Sequence, residues 1–259
     1  MRKLFAAFAC APFCALAAPS TDKEPDSGIN VKVGYDHSVG KYDQKRDTSL
    51  STSSVTASYD TDDYSFDFVA PFLQEKGPGR VIFLPGRRPI IIIGPERKAS
   101  GPGDVTLGAT RYLLDEEKHG LDLDLGAIVK IGTASAKKGL GTGKQDLSVQ
   151  AAFGKALAGV ETTLTTGYTF VGKAPDLGLK NSFYGSLDAS YKIASPIRVG
   201  ATYSAGQASA LGTAGSRDGT AYVELKVAKS LKVELYYLKG WSTQSPDRGG
   251  GLTVAWDLR

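Results

Sequence analysis

Apolar and polar residues alternate along most of this chain. The clearest example is Leu121–Ile131, LDLDLGAIVKI, in which odd-numbered positions are apolar and even-numbered positions are mostly polar. Side chains on a β-strand point to opposite faces in turn, so such a segment predicts a strand with one apolar and one polar face. The same split recurs in segments that end near Ile193, Val227 and Tyr237. The chain is therefore predicted to be all-β.

About twelve such segments are predicted, a typical strand content for outer-membrane barrels. They start near Ile29, Ser51, Tyr64, Asp104, Leu121, Asp146, Val160, Ser182, Ile197, Thr220, Leu231 and Gly250. Short and long connections alternate strictly, and the longest connection is 73–103. Bacterial outer-membrane barrels have the same asymmetry, with tight periplasmic turns and longer outside loops. We therefore predict that 73–103 is a long extracellular loop.

Alternation alone leaves two orientations open. A secreted β-sandwich or a lipocalin-type barrel also alternates, but its apolar face points inward. An even strand number and the regular loop asymmetry favour a membrane barrel, as do aromatic residues on the apolar face near predicted strand ends. These residues are Tyr35, Tyr59, Tyr168, Phe170, Tyr191, Tyr203, Tyr237 and Trp256. We predict a transmembrane antiparallel up-and-down β-barrel of about 12 strands in the bacterial outer membrane.

The N-terminus has the layout of a secretory signal peptide. Residues 1–17 combine a basic start, an apolar middle and small residues before the predicted cleavage near Ala17. The apolar part is shorter than the roughly 20 residues of a spanning helix, which argues against an uncleaved membrane anchor. We predict a signal peptide at 1–17, a short N-terminal segment at 18–27 and the barrel at 28–259.

Composition limits the chemistry that the exported chain can carry. Cys10 and Cys14 both lie in the predicted signal peptide, so neither a disulfide nor a thiolate metal site is expected after cleavage. Without Arg2 and Lys3, the formal charge falls to near +2, which gives no argument for nucleic-acid binding. The two histidines lack obvious serine and acid partners, so no catalytic residue is predicted. We expect no metal and no cofactor.

In a transmembrane barrel, the polar face of each strand points into the lumen. The charged residues on that face are therefore predicted to line the pore. They are Lys32, Asp67, Asp122, Asp124, Lys130, Glu161, Asp188, Lys192, Arg198, Glu224, Lys226, Lys232 and Glu234. Two roles stay open for them: charges of both signs can pair across the interior and brace the wall, or they can line a wet path and tune which solutes pass.

The predicted loop 73–103 contains GRRPIIIIGPE, in which four isoleucines follow two arginines and a proline. Exposed on a cell surface, these isoleucines would form an unusual apolar patch. We predict that the loop folds into the barrel mouth. The residues predicted to act there as a plug or gate are Arg87, Arg88, Ile90, Ile91, Ile92 and Ile93. Alternatives are a strand extension above the membrane, contact with a neighbouring chain, and a small core within the loop.

Several motifs resemble one family. They are GPGDVTLGATRYLL (Gly101–Leu114), a strand end and loop within Val129–Leu157 that reads VKIGT and then GTGKQD, and TTGYTFVG (Thr165–Gly172). The chain resembles outer-membrane transporters of the MetA-pathway of phenol degradation type, most clearly over Tyr64–Gly172. The resemblance implies an outer-membrane barrel that is associated with small hydrophobic or aromatic compounds, and it supplies no catalytic residues.

The combined prediction is an outer-membrane channel or transporter for passive passage of small, hydrophobic or aromatic, molecules. Its expected partners are the small-molecule solute, the outer-membrane lipid and lipopolysaccharide, whose phosphates could meet basic loop residues. One alternative is a non-transporting barrel with a structural or surface-adhesion role, and another is an outer-membrane hydrolase. The sequence leaves the solute and the oligomeric state open.

Overall fold

The structure is a computed structural model that describes residues 28–258. The predicted signal peptide at 1–17 and the segment at 18–27 lie outside the described residues. Residues 28–258 contain thirteen β-strands, one short α-helix and two single-turn 3-10 helices at Ala136–Lys138 and Pro175–Leu177. The strands and the helix are β1 (Gly28–Gly40), β2 (Thr48–Asp60), β3 (Tyr64–Ile82), β4 (Ile90–Pro102), β5 (Val105–Leu114), α1 (Glu116–His119), β6 (Asp122–Ile131), β7 (Asp146–Leu157), β8 (Val160–Phe170), β9 (Ser182–Ala194), β10 (Ile197–Gly206), β11 (Ser216–Ala228), β12 (Leu231–Gly240) and β13 (Arg248–Leu258).

These strands form one closed antiparallel barrel. From β5 to β13 each strand pairs with the next, β13 pairs with β1, and β2 pairs with both β1 and β3. Strands β4 and β5 occupy a single position in the wall, because Phe72–Ile82 of β3 pairs with β4 and Tyr64–Val69 of β3 pairs with β5. The wall therefore has twelve positions, and the predicted barrel of about 12 strands is confirmed.

The two ends of the barrel differ as the sequence predicts. One end, here named the turn end, carries short connections at 61–63, 115–121, 158–159, 195–196 and 229–230. The opposite end, named the loop end, carries connections at 41–47, 83–89, 132–145, 171–181, 207–215 and 241–247. In an outer-membrane barrel, such longer connections face the outside of the cell.

Apolar side chains cover the outer wall. Leu164, Leu187 and Leu235 are at least half exposed, and on each of these strands they alternate with buried or half-buried polar residues. Of the predicted interfacial aromatics, Tyr168 is half-buried and the others are exposed. An apolar outer face with a polar inner face suits lipid and not water, which decides against the soluble barrel. No helix within residues 28–258 has the length and apolarity that a membrane crossing requires.

The structure corrects the prediction that 73–103 is a loop. β3 continues to Ile82 and β4 runs from Ile90 to Pro102, so that only 83–89 and Gly103 lack regular structure. Val81 and Ile82 pair with Ile91 and Ile90. These β-branched residues suit a strand pair, which explains why the segment is a hairpin. We name residues 79–94 the inserted hairpin, because its end lies inside the barrel mouth.

Candidate pore

The thirteen predicted lumen charges all lie on the inner face of the wall. Eight of them are buried: Asp67, Asp122, Asp124, Lys130, Glu161, Asp188, Arg198 and Glu234. The other five are half-buried: Lys32, Lys192, Glu224, Lys226 and Lys232. Their positions are those that the alternation predicts, whereas their role as a solute path stays a prediction.

Several of these charges connect neighbouring strands of the wall. Arg198 on β10 forms an ion pair with Glu161 on β8 and donates a hydrogen bond of 3.1 Å to Ser190 on β9. Asp188 accepts hydrogen bonds from Thr202 at 2.6 Å and from Tyr222 at 3.1 Å. These contacts run along the wall between nearby strands. They brace the barrel, and a wall braced in this way can still surround a path for solutes.

The inserted hairpin bends inward at a glycine-rich elbow. Gly77 and Gly79 have φ values of 136° and 127°, and the pairing of β3 with β4 shifts register between Pro78 and Arg80. A side chain at Gly77 would lie 2.6 Å from the backbone oxygen of Asp47. Glycine is therefore needed there for backbone conformation and for space. The hydroxyl of Thr48 fixes the bend by donating a hydrogen bond of 2.6 Å to the carbonyl of Pro78.

A buried ion cluster ties the hairpin to the wall. The Lys130 ammonium lies 2.6 Å from the Asp146 carboxylate and 3.2 Å from the Asp104 carboxylate, and it donates a hydrogen bond of 3.1 Å to the carbonyl of Phe83. All three charged side chains are fully buried. Asp104 lies beyond the loop-end termini of β5 and β6, where burial raises the pKa of its carboxyl and the Lys130 ammonium opposes that rise. We name Lys130, Asp104 and Asp146 the clamp.

The motifs that carry the family resemblance meet at the clamp. Asp104 comes from GPGD, Lys130 from VKIGT and Asp146 from GTGKQD. Gly172, at the end of the TTGYTFVG motif, donates its N–H to Asp146 at 2.7 Å. The sequence analysis placed Lys130 in the lumen, but it did not foresee that the separate motifs form one contact with the hairpin.

The tip of the hairpin reaches the far side of the barrel. Arg87 donates hydrogen bonds to Ser182 at 3.0 Å, to Ser209 at 2.7 Å and to Ser216 at 2.9 Å. Arg88 forms a salt bridge of 2.9 Å with Asp218 on β11. Because β9 and β11 lie roughly opposite β3 in the barrel order, the hairpin crosses the lumen.

A small cavity lies beside the tip. Its volume is about 40 Å³, and Arg87, Arg88, Gln150, Tyr184 and Asp218 are among its lining residues. The Tyr184 hydroxyl donates a hydrogen bond of 2.7 Å to Gln150. The cavity therefore has charged, amide and phenol groups, but in this conformation it holds little more than one or two water molecules.

The four isoleucines have different environments. Ile90 and Ile91 are buried at 3% and 1% exposure, Ile92 is half-buried, and Ile93 is 64% exposed. Ile91 packs in a cluster with residues of the wall and loops, which are Tyr42, Leu50, Leu73, Val81, Phe83, Ala134 and Leu140. Ile90 packs with Ile82 and Leu84, against Val171, Leu177 and Leu179. Hairpin and loops together thus cover two isoleucines fully and leave Ile93 exposed.

The sequence analysis missed other buried charges on the inner face. They are Asp36, Glu75, Asp104, Asp146 and Asp218. Asp36 follows Lys32 by four residues and therefore lies on the same face of β1, so the alternation could have predicted its inward position. Glu75 was assigned to the loop, and in the described part of the chain neither of its carboxylate oxygens has a hydrogen-bond partner. Asp218 lies just before the predicted start of its strand.

Docking of the tip can be tested at Gly86, where φ is 77° and an added Cβ would lie 2.1 Å from the Tyr184 hydroxyl. Gly86→Ala should loosen the tip and expose the Arg87–Arg88 bond to trypsin. Each loss of about 1.4 kcal/mol in the docking free energy of the tip should raise the rate of cleavage about tenfold. The reason is that slow proteolysis is proportional to the fraction of molecules in which the tip is undocked. Mass spectrometry of the vesicle-embedded protein after digestion measures the extent of cleavage after Arg87.

Gly212→Ala is the matched control for Gly86→Ala. Gly212 has a φ of 74°, but nothing lies within 4 Å of an added Cβ. Both alanines bear the cost of a left-handed backbone, about 1 kcal/mol, and only the one at residue 86 meets Tyr184. Equal cleavage after Arg87 in both variants would show that the contact with Tyr184 does not hold the tip.

The closed barrel, its apolar outer wall and its charged inner face define an outer-membrane β-barrel protein. A sequence model of the family described as MetA-pathway of phenol degradation matches residues 47–258, and the chain belongs to this family. The resemblance noted in the motifs is thereby confirmed. No curated protein matches the chain significantly.

Solved structures show the same fold. The COG4313 outer membrane channel from Pseudomonas putida F1 matches with a TM-score of 0.67 at 15% identity, over 92% of this chain and 99% of that one. The NanC porin matches with a TM-score of 0.54 at 10% identity, over 89% and 99%. The KdgM porin matches with a TM-score of 0.53 at 7% identity, over 88% and 99%.

Proposed function

We propose that the protein is an outer-membrane channel through which small molecules, including hydrophobic and aromatic ones, pass by diffusion. The observation that carries the proposal is the inserted hairpin. A barrel with a purely structural role needs no separate element across its lumen, whereas a channel needs a constriction that selects its solutes. Membership of a family named for phenol degradation supports the aromatic class, and the likeness to solved channels and porins supports the fold that such a role requires.

The solute class follows from the surfaces around the hairpin. Ile82, Leu84 and Ile90 form an apolar side of the hairpin that packs against Leu177 and Leu179 in this conformation and would meet the solute when the tip moves. The tip presents guanidinium groups beside the Tyr184 phenol. Ligand sites commonly combine apolar walls with a few polar groups that fix orientation. This combination favours small molecules with an aromatic or aliphatic body and one polar group.

In the proposed mechanism, the hairpin is the gate and the lumen charges form the wall of the path. Arg87 and Arg88 hold the tip against β9 and β11 by polar contacts, which solute or thermal motion can exchange for water. The elbow holds the base of the hairpin and the clamp holds Phe83, so that motion is concentrated beyond Phe83, at the tip. Passage is driven by the concentration gradient and requires no cofactor.

Solute entry into liposomes tests the proposal. Vesicles that contain the purified protein should swell in isotonic serine and phenylalanine, and swell more slowly in raffinose, because the constriction excludes the larger solute. Faster entry of phenylalanine than of serine would support the aromatic class. Vesicles with heat-denatured protein are the control. Entry no faster than in protein-free vesicles for every solute would refute the channel.

A structural barrel is the second candidate, and a specific observation favours it. Many inner-face charges are buried and paired within the wall, as for Arg198 with Glu161. A lumen filled by such pairs would stabilise the barrel without conducting. The swelling experiment separates the two candidates, because a non-transporting barrel admits none of the three solutes.

A further inference from the structure

Three basic residues form a patch on the outer wall at the loop end. Arg217 on β11, Lys239 on β12 and Arg248 on β13 all lie on exposed, outward positions. Lys239 is directly opposite Arg248 in the antiparallel pairing, and Arg217 is hydrogen-bonded through its carbonyl to the N–H of Trp241, at 2.9 Å. We name Arg217, Lys239 and Arg248 the rim patch.

The rim patch lacks an internal counter-charge. Like charges directly opposite each other in a sheet are destabilising. Within residues 28–258, none of the three side chains forms a salt bridge. Asp247 adjoins Arg248 in sequence, yet it forms no ion pair with it, and Asp218 points inward to Arg88. An anion from outside the chain would relieve this repulsion.

The surroundings of the rim patch identify the kind of anion. Trp241 is 60% exposed, and its ring lies over Gly219, where an added Cβ would be 2.6 Å from the indole. It stacks with Tyr203 at 6.1 Å between ring centroids. Below the patch, towards the centre of the barrel, Tyr237 and Leu252 face the lipid. Aromatic rings at this height mark the level of the lipid headgroups.

A cleft beside the rim patch is large enough for more than a phosphate ion. It is open to the outside, has a volume of about 990 Å³, and is lined by Lys180, Phe183, Arg217 and Trp241 among others. Two cations and three aromatic rings, which include Tyr184, lie at one opening and suit an amphipathic ligand. Arginine and lysine pair well with phosphate oxygens, and the rings can pack against acyl chains.

We propose that the rim patch and its cleft bind a phosphate headgroup of the outer leaflet, the lipid A part of lipopolysaccharide. The patch lies on the lipid-facing wall at the loop end, which is the outer-leaflet side in the expected orientation. The three basic side chains of the rim patch face away from the lumen, while the cleft adjoins the barrel mouth at Tyr184 and Ser216. The proposal holds whether or not the barrel conducts.

Native mass spectrometry with bisphosphorylated lipid A tests the proposal on the full chain in dodecyl maltoside. The test variant carries Arg217→Gln, Lys239→Gln and Arg248→Gln. Each basic residue at an anionic lipid surface contributes about fivefold, so affinity should fall about a hundredfold. Lipid A without phosphates should bind the unmodified protein as weakly as the bisphosphorylated form binds the triple variant. The heat-induced shift on denaturing gels shows that the variant is folded.

The matched control is Lys76→Gln with Lys98→Gln. This exposed pair is also directly opposite across two strands, but Glu96 lies two residues from Lys98 on the same face of β4, and Gln74 and Ser100 flank it in place of aromatic residues. Its affinity for lipid A should equal that of the unmodified protein. Two results would overturn the proposal. In the first, the triple variant binds lipid A as tightly as the unmodified protein. In the second, the unmodified protein forms a dimer without bound lipid A, and the triple substitution dissociates that dimer.

Discussion

Lys130→Met should cost the barrel about 3–5 kcal/mol of unfolding free energy, because breaking a buried ion cluster leaves uncompensated charge in a low-dielectric site. The substitution keeps the length of the side chain but removes the ammonium between two fully buried carboxylates, Asp104 and Asp146. It also removes the hydrogen bond to the carbonyl of Phe83, so the hairpin should detach from the wall. Urea unfolding of the vesicle-embedded protein measures the loss. The loss should shrink at acidic pH, because burial raises the pKa of the Asp104 carboxyl and its protonation removes part of the buried negative charge.

The control for this prediction is the triple variant Lys130→Met, Asp104→Asn and Asp146→Asn. An asparagine at each position can still accept the N–H bonds of Ala134 and Gly172 that the carboxylates accept. With no charge left unpaired, most of the lost stability should return. If Lys130→Met unfolds like the unmodified protein, the clamp is not what holds the hairpin.

The alternation of the sequence predicted the wall because a strand has only two faces. An odd or even position along a strand therefore assigns each side chain to the lipid or to the lumen. All thirteen predicted lumen charges lie inside. The clamp was not predicted, although Lys130 and Asp146 are direct cross-strand partners. Their pairing depends on the register that the loop 132–145 imposes, and alternation carries no information about register between strands.

The hairpin was missed for a different physical reason. The strand was predicted to end at residue 72, and Gly77, Pro78 and Gly79, which are residues that commonly end strands, gave no sign that it continues. In the structure the same glycines bend a strand that continues. The expected burial of the isoleucine run in the barrel mouth agrees with the positions of Ile90 and Ile91, whereas the role of a gate remains our proposal. Contacts of Arg87 and Arg88 with the far wall depend on the angle of the bend, which no local pattern encodes.

Shortening the hairpin should raise the conductance of the barrel severalfold. Gly79 and Gly94 face each other across the two strands, since an added Cβ on Gly94 would lie 3.4 Å from the Gly79 Cα atom. Replacing 80–93 by Asn-Gly should therefore close the hairpin at the elbow, because Asn-Gly favours two-residue turns. The variant loses the tip with Arg87 and Arg88, and it also loses Arg80. It keeps the barrel wall and all clamp residues, and its folding is checked by heat-induced mobility on denaturing gels.

Ile93→Ser is the control for the shortened hairpin, because Ile93 is 64% exposed and its replacement leaves the hairpin in the lumen. Its conductance should equal that of the unmodified protein. Single-channel current in planar bilayers, recorded for the unmodified protein, Ile93→Ser and the shortened variant, tests the central claim most directly. The account predicts small currents for the first two and currents severalfold larger, with weaker solute selectivity, for the third. Equal currents in all three, or none in any, would contradict a channel that the inserted hairpin constricts.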